Sequence, residues 1–127
     1  MNAKTFLTIN AIVALVYGVA FVLIPAQLGV IYGVPADVHT ELDAQFFGSA
    51  LITIGVLLWF AKDFNDPDAV RGILIATAVG DVVGGGVNLV GTFGGLLNGM
   101  AWSSTLVYVL LLVGSLYFLF VGSRKST

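Results

Sequence analysis

Four long apolar runs dominate the sequence, and most of its charged residues lie outside them. The runs cover residues 5–24, 44–61, 67–90 and 100–121. In a helix, about 20 residues at about 1.5 Å each cross the roughly 30 Å hydrocarbon core of a bilayer. Only 9% of the residues are charged, whereas a soluble domain has about 25%, so water would not solvate the folded chain. We therefore predict an all-α membrane bundle of four transmembrane helices in one domain, residues 1–127.

Local signals mark where some of these helices begin and end. Asp66 is a suitable N-cap for the third helix, with Pro67 at its first position, and Gly91 is a suitable C-cap. Thr40 and Asp43 have the spacing of a capping box, which predicts a helical turn there that continues into the second run.

The distribution of cations predicts the orientation. Lysine and arginine occur before the first run, around the second connection and after the fourth run, at Lys4, Lys62, Arg71, Arg124 and Lys125. The connections 25–43 and 91–99 contain neither residue type. Because positive charge stays inside, we expect both termini to be cytoplasmic and the protein to lie in the inner membrane. The first run is too long for an ordinary signal peptide and is expected to be retained.

The two connections without cations are themselves apolar or rich in glycine. We expect the segment 25–43 to lie along the outer membrane interface between the first two transmembrane helices. The connection 91–99 is expected to lie at the same interface as a flexible segment, in which Asn98 and Gly99 form a turn.

Composition excludes several kinds of function. The chain has no cysteine and a single histidine, His39, which removes thiol chemistry and leaves too few ligands for a haem or a histidine-rich zinc site. The net charge of −2 and the absence of a basic stripe argue against nucleic acid. No nucleophile with a nearby base and no phosphate-binding loop can be identified. We expect neither an enzyme nor a bound cofactor.

Asp81 is the most informative residue because it lies near the middle of the third run. An ionised carboxylate at that depth is costly and usually functional. At helical spacing Asp81 shares a face with Thr77, Gly84, Gly85 and Asn88, and lipid cannot satisfy the polar members of this face. The face is therefore expected to point into the bundle.

The other three runs carry matching polar stripes. They are Asn10, Ala14, Tyr17 and Gly18 in the first, Gln45, Ser49, Thr53 and Val56 in the second, and Ser104, Tyr108, Leu111 and Ser115 in the fourth. Counted from the helix ends, Tyr17, Thr53 and Tyr108 lie at the level of Asp81. Asn88 lies with Gln45, Ser49 and Ser104 toward the outside, and Asn10, Thr77 and Ser115 lie toward the cytoplasm. The layers predict a polar seam along the bundle axis.

This seam has more than one interpretation. In the first, it is helix packing: Gly80, Gly84 and Gly85 allow close helix approach, and a protonated Asp81 donates a hydrogen bond to one of the three polar neighbours at its level. In the second, Asp81 is a proton or cation site, and the glycines 84–86 loosen the helix beside it. A pocket for a pigment, quinone or lipid is the third.

An acidic patch precedes the second run and contains Asp37, His39, Glu41 and Asp43. His39 and Asp43 are four residues apart and would share a helix face, so they are weak candidates for metal ligands. A single histidine among carboxylates is a poor zinc signal, and a solvated loop end explains the patch better. We expect no metal site here.

The whole chain resembles the abundant bacterial families of short four-helix membrane proteins of unknown function. The resemblance rests on soft motifs, namely Tyr17-Gly18, Pro25-Ala26, Leu28, Tyr32-Gly33-Val34, the segment 45–50 that opens the second helix and the segment 98–103 that enters the fourth. It implies the four-helix architecture and no particular activity.

Two functions are compatible with these observations. The first is a non-catalytic packing or accessory subunit, associated in the lipid bilayer with copies of itself or with other membrane proteins. The alternative is a small proton- or cation-coupled transporter that uses Asp81.

The predicted topology can be tested with reporters. A reporter fused to the C-terminus is expected to be active only in the cytoplasm, whereas one inserted near Gly95 is expected to be active only outside. The control is a second reporter at each site, of a kind that is active only in the opposite compartment. Signals from the same compartment at both sites would contradict the count of transmembrane helices.

Overall fold

The computed structural model describes residues 1–122, and the polar tail 123–127, with the predicted cytoplasmic cations Arg124 and Lys125, lies outside the described residues. The described chain is helical and contains no strand. Its elements are α1 (Ala3–Leu23), α2 (Pro25–Ile31), α3 (Val38–Ala61), α4 (Pro67–Phe93) and α5 (Ala101–Tyr117), the last continued by a π-helical segment, Phe118–Gly122. Four of them, α1, α3, α4 and extended α5, are long and apolar enough to cross a membrane, as predicted.

Capping side chains mark the starts of α1 and α4. The Asn2 side chain accepts a hydrogen bond from the Thr5 backbone N–H at 2.8 Å and caps α1. Asp66 caps α4 as predicted, accepting from the Asp68 N–H at 3.0 Å, and Pro67 occupies the first turn. Proline suits this position because its missing N–H has no partner in a first helical turn.

The helical turn predicted before residue 44 is confirmed and continues into the second run, but the predicted caps of α3 and α4 are wrong. Asp37 caps α3 by accepting from the His39 N–H at 3.2 Å, so the helix starts at Val38 and not at a Thr40–Asp43 capping box. Helix α4 runs through Gly91 to Phe93, with Gly94 as its C-cap. The chain then folds back onto Gly91: a Cβ at this position would lie 3.2 Å from Leu97 Cδ1, and the Leu97 N–H donates to the Gly91 carbonyl at 3.2 Å.

Helices α1 and α3 form the tightest pair in the bundle. Their backbones touch at two glycines: a Cβ added to Gly48 would lie 2.7 Å from the Gly18 carbonyl oxygen, and one added to Gly18 would lie 2.9 Å from that of Gly48. Two turns along α3, a Cβ on Gly55 would lie 2.6 Å from Leu15 Cγ. Without a hydrophobic driving force in lipid, such close backbone approach is a main source of helix association.

Helices α4 and α5 form the second pair. A Cβ on Gly84 would lie 2.6 Å from the Tyr108 ring, whereas one on Gly85 would make an ordinary 3.4 Å contact with Tyr108 Cβ. Gly80 does not make the close helix contact that the sequence predicts, since nothing lies within 4 Å of a Cβ added there. Tyr108 packs against Gly84 and Gly85, whereas Gly80, one turn away, faces the gap between the two pairs.

The two helix pairs meet at one end of the bundle, which carries the N-terminus and the α3–α4 connection and is called here the terminal end. A hydrophobic core lies there, consisting of Phe6, Leu7, Ala11, Leu58, Leu74, Phe118 and Leu119. The Phe6 and Phe118 rings are 5.4 Å apart, and Phe6 also lies directly against Gly114. This core joins α1 and α3 to α4 and α5.

An ion-pair cluster lies beside this core. Asp63 Oδ1 is 3.2 Å from Lys4 Nζ, and Asp63 Oδ2 is 2.8 Å from Lys62 Nζ. The hydrogen bond from Lys62, together with that from Lys4, lowers the pKa of Asp63 below its ordinary value. The contact therefore stabilises the fold above the ordinary aspartate pKa and is lost as the pH falls through the lowered one.

The opposite end of the bundle, called here the loop end, is held together by Asn98. Its side chain donates a hydrogen bond to the Ile31 carbonyl and its backbone N–H donates to the Tyr32 carbonyl, both at 3.0 Å. Gly33, with a φ of 76°, lies against the same side chain, where a larger residue would be both strained and crowded. Asn98 therefore links the two long connections and is more than the turn residue that the sequence predicts.

The glycine contacts predict an order of stabilities. Gly48→Ala is expected to lower the free energy of unfolding by about 1–3 kcal/mol, because the new methyl group meets a backbone carbonyl that cannot rotate away. Gly84→Ala is expected to cost less, since the Tyr108 ring can shift. Thermal unfolding in a mild detergent measures both effects.

Gly86→Ala is the matched control, since nothing lies within 4 Å of a Cβ at this position of α4. Alanine is the better helix former by up to about 1 kcal/mol, so this variant should be as stable as the wild type or more stable. Equal losses in all three variants would show that the α1–α3 contact is not specific.

Candidate functional site

A cavity of about 670 Å³ lies between the α1–α3 pair and the α4–α5 pair. The core at the terminal end closes the cavity on that side, and Leu58 belongs to both the core and the cavity wall. At the loop end the cavity extends to Thr40 and Glu41. Helices α3 and α4 make few contacts with each other. Ile54 and Leu57 on α3 and Val83 on α4 line the cavity and are also exposed, so it opens sideways between these helices.

Most of the predicted polar seam lines this cavity. The structure brings Tyr17, Thr77, Asp81, Asn88 and Tyr108 to its wall, together with Asn10 and Ser104. The seam on α1, α4 and α5 therefore faces the interior of the bundle. The predicted stripe on α3 does not, and apart from Thr40 and Glu41 near its start the cavity wall on that helix is apolar.

Thr53 is one of the predicted seam residues on α3 that the structure places outside the cavity. It is exposed, and its hydroxyl donates to the Ser49 carbonyl of its own helix at 3.2 Å. The glycine contact of α3 with α1 explains this position, because it fixes the rotation of α3. Phe47 and Leu51 project into the cavity from one side of the Gly48 face, whereas Ser49 and Thr53 project from the other side.

Asp81 lies half-buried on the cavity wall contributed by α4. Its Oδ2 atom is buried and has no hydrogen-bond partner among the described residues. The Tyr108 side chain interacts electrostatically with Asp81. The hydrogen bond that we expected from Asp81 to Tyr17, Thr53 or Tyr108 is thus not formed by this atom.

Asn10 is the second polar group on the wall with an unused atom. Only 5% of this residue is exposed, and its Nδ2 has no hydrogen-bond partner within residues 1–122. A buried amide without a partner costs about 1–3 kcal/mol. The sequence places Asn10 on the correct face, at helical spacing from Tyr17, but gives no sign that its amide lacks a partner.

Other seam residues satisfy one another and hold the α4–α5 pair together. Thr77 and Ser115 share a hydrogen bond between their hydroxyls at 3.0 Å, in the layer toward the terminal end where they were predicted. Asn88 Nδ2 donates to the Ala101 carbonyl at 3.0 Å and to Thr105 Oγ1 at 2.7 Å. Their polar groups are used within the protein, so these residues have a structural role.

Two tyrosine side chains, Tyr17 and Tyr32, line the cavity toward the loop end. The Tyr32 hydroxyl lies 2.6 Å from Ser104 Oγ, which connects the end of α2 to α5. The Tyr17 hydroxyl interacts electrostatically with both residues. Sequence reasoning treated Tyr32 as an outer-interface residue, but it is half-buried over the cavity because Asn98 holds its backbone against the second connection.

The weak metal candidates lie outside the cavity. His39 and Asp43 are exposed on the first turns of α3, and the His39 backbone N–H is used by the Asp37 cap. The described residues contain no group of three or more histidine, cysteine, aspartate or glutamate side chains that could hold a metal ion. The pair thus lacks a third protein ligand among them.

The site combines a carboxylate, a buried amide and tyrosine hydroxyls in a mostly apolar cavity. It can exchange a proton at Asp81, pair a positive charge with it, or hydrogen-bond a small molecule. Comparison with protein-family models, curated proteins and solved structures found no match to this chain.

Proposed function

We propose that this chain is a small integral membrane protein that binds a proton or cation at Asp81 and moves it across the bilayer. The observation that carries the proposal is the unused Oδ2 atom of Asp81 on the wall of a cavity between the helix pairs. A purely structural carboxyl group at membrane depth is expected to be hydrogen-bonded to a neighbouring helix. The proposed role is not catalytic.

The arrangement of the helices supports movement as well as binding. The core closes the cavity at the terminal end, while the cavity reaches Thr40 and Glu41 at the loop end. The cation distribution predicts that the terminal end is cytoplasmic. With this orientation the described conformation is an outward-open state. A rocking motion of the two helix pairs that separates Phe6 from Phe118 would open the cavity at the terminal end.

The test is flux into liposomes that contain the purified protein. Wild type is expected to dissipate an imposed proton or alkali-cation gradient, and Asp81→Asn should slow this flux about tenfold or more, because an amide neither titrates nor carries charge. Asp68→Asn removes an exposed carboxylate from the same helix and is the matched control, with flux close to wild type.

Two results would contradict the transport proposal. The first is the absence of wild-type flux for both protons and alkali cations, with correctly inserted protein. The second is an Asp81→Asn variant as active as the wild type. Thermal unfolding of each variant in detergent shows whether a lost flux reflects a lost fold.

A second candidate function, that of a packing or accessory subunit, is favoured by the outward face of α3. Ser49 and Thr53 are exposed on this face, which is directed away from the cavity. Hydroxyl side chains and small residues on a membrane helix are typical of contacts with another helix. The face would associate with a second copy of the chain or with another membrane protein.

The double variant Ser49→Leu/Thr53→Leu tests this second function. It is expected to shift the protein from dimer to monomer in detergent, measured by analytical ultracentrifugation, because leucine removes the small polar contact surface. Val109→Leu/Val113→Leu alters an equally exposed face of α5 and should leave association unchanged. A wild type that stays monomeric at all concentrations would exclude self-association through α3.

A further inference from the structure

The charges on the cavity wall restrict the ligand that it can hold. Two acidic residues, Glu41 and Asp81, line the cavity, and none of its lining residues is a lysine, arginine or histidine. The described lysines and arginine, Lys4, Lys62 and Arg71, lie near the terminal end. An ionised Asp81 therefore has no counter-charge in its own cavity, and a cationic ligand would supply one.

The size and polarity of the cavity favour an organic ligand over an inorganic ion. A volume of about 670 Å³ is that of a site for a drug-sized molecule. Calcium or magnesium would require six or more oxygen ligands at short distances. The described residues provide no metal cluster, and most of the cavity wall is apolar. The apolar part of an organic cation would fill the space that an inorganic ion would leave empty.

Aromatic rings continue along the wall contributed by α1 and α3. Tyr17 and Phe21 are stacked with ring centroids 6.5 Å apart, and Phe21 meets Phe47 edge to face at 5.1 Å. All three residues line the cavity, as does Tyr108 beside Asp81. Aromatic faces attract ammonium groups, and the attraction is strongest where water is excluded.

The sideways opening is consistent with a lipophilic ligand. Ile54, Leu57 and Val83 form its edges, and these residues would face the acyl chains of a bilayer. A hydrophobic cation partitions into the membrane and can reach Asp81 through this gap without passing the loops. Asn10 then offers its unused Nδ2 donor to an acceptor on the ligand.

We propose that the cavity binds a hydrophobic organic cation, with its positive charge paired to Asp81 and its apolar body against Tyr17, Phe21 and Phe47. This inference rests on the proposed function, because it names the kind of cation that the same site takes. It assigns the charge selectivity to Asp81 and the shape selectivity to the aromatic wall.

Tetraphenylphosphonium and tetraphenylborate provide the test, since they match in size and shape and differ in the sign of their charge. The purified protein in detergent is titrated with each ion by isothermal calorimetry. Wild type is expected to bind the phosphonium at least about tenfold more tightly than the borate. Asp81→Asn should weaken phosphonium binding about tenfold or more, while Asp81→Glu, which keeps the charge, should retain the preference.

Asp68→Asn is again the matched control and should bind the phosphonium as the wild type does. Tyr17→Leu removes an aromatic ring from the cavity wall and should bind the phosphonium less tightly than the wild type. The proposal is overturned if the borate binds as well as the phosphonium, if folded Asp81→Asn binds like wild type, or if no binding is seen up to about 1 mM.

These outcomes can be separated from failure of the transport proposal. Flux that depends on Asp81 without phosphonium binding would overturn the organic-cation site and leave proton or alkali-cation transport standing. Phosphonium binding that depends on Asp81 without any flux would support the site and remove transport.

Discussion

The backbone contact between Gly18 and Gly48 determines the arrangement of the rest of the bundle. Two helices can approach this closely only where neither has a side chain, so the contact fixes both the spacing and the rotation of α1 and α3. Once α3 has this rotation, Phe47 and Leu51 face the cavity, and Ser49 and Thr53 face outward. The polarity of the cavity wall is thus a consequence of a packing contact on a different face of the helix.

The second constraint is that the two helix pairs are packed together mainly at the terminal end. There, large rings such as Phe6 and Phe118 fill the space between the pairs. Farther along, α3 and α4 are scarcely in contact, and Gly80 faces open space. At the loop end, Asn98 binds the first connection, and the bond between Tyr32 and Ser104 connects α2 to α5. A bundle held at its ends and separate in its middle leaves room for a ligand.

The hydrogen bonds divide the polar seam into two groups. Thr77, Ser115 and Asn88 are satisfied within the α4–α5 pair and stabilise it. Asn10 and Asp81 keep an unused buried atom on the cavity wall. Hydrogen bonds to Asn10 Nδ2 and Asp81 Oδ2 would have stabilised the fold. These two atoms without partners are therefore the strongest sign of function among the described residues.

Much of the fold could be predicted from the sequence, because the signals involved are local. The length and polarity of the apolar runs determined that the chain contains four helices able to cross a membrane, and Asp66 with Pro67 determined where α4 starts. Asp81, the acid in the middle of the third apolar run, was evident from its position alone. Each of these features depends on neighbouring residues and on the cost of placing charge or unpaired backbone in lipid.

Only the tertiary structure decided which helix faces meet, and therefore which polar residues surround Asp81. In α3, apolar residues occur all around the helix, so hydrophobic periodicity does not distinguish the interior face from the lipid face. The choice is made by contacts between residues far apart in sequence, Gly18 with Gly48 and Asn98 with Ile31. For this reason Thr53 was predicted inside and lies outside, whereas Tyr32, which was predicted in the outer interfacial segment, lies over the cavity.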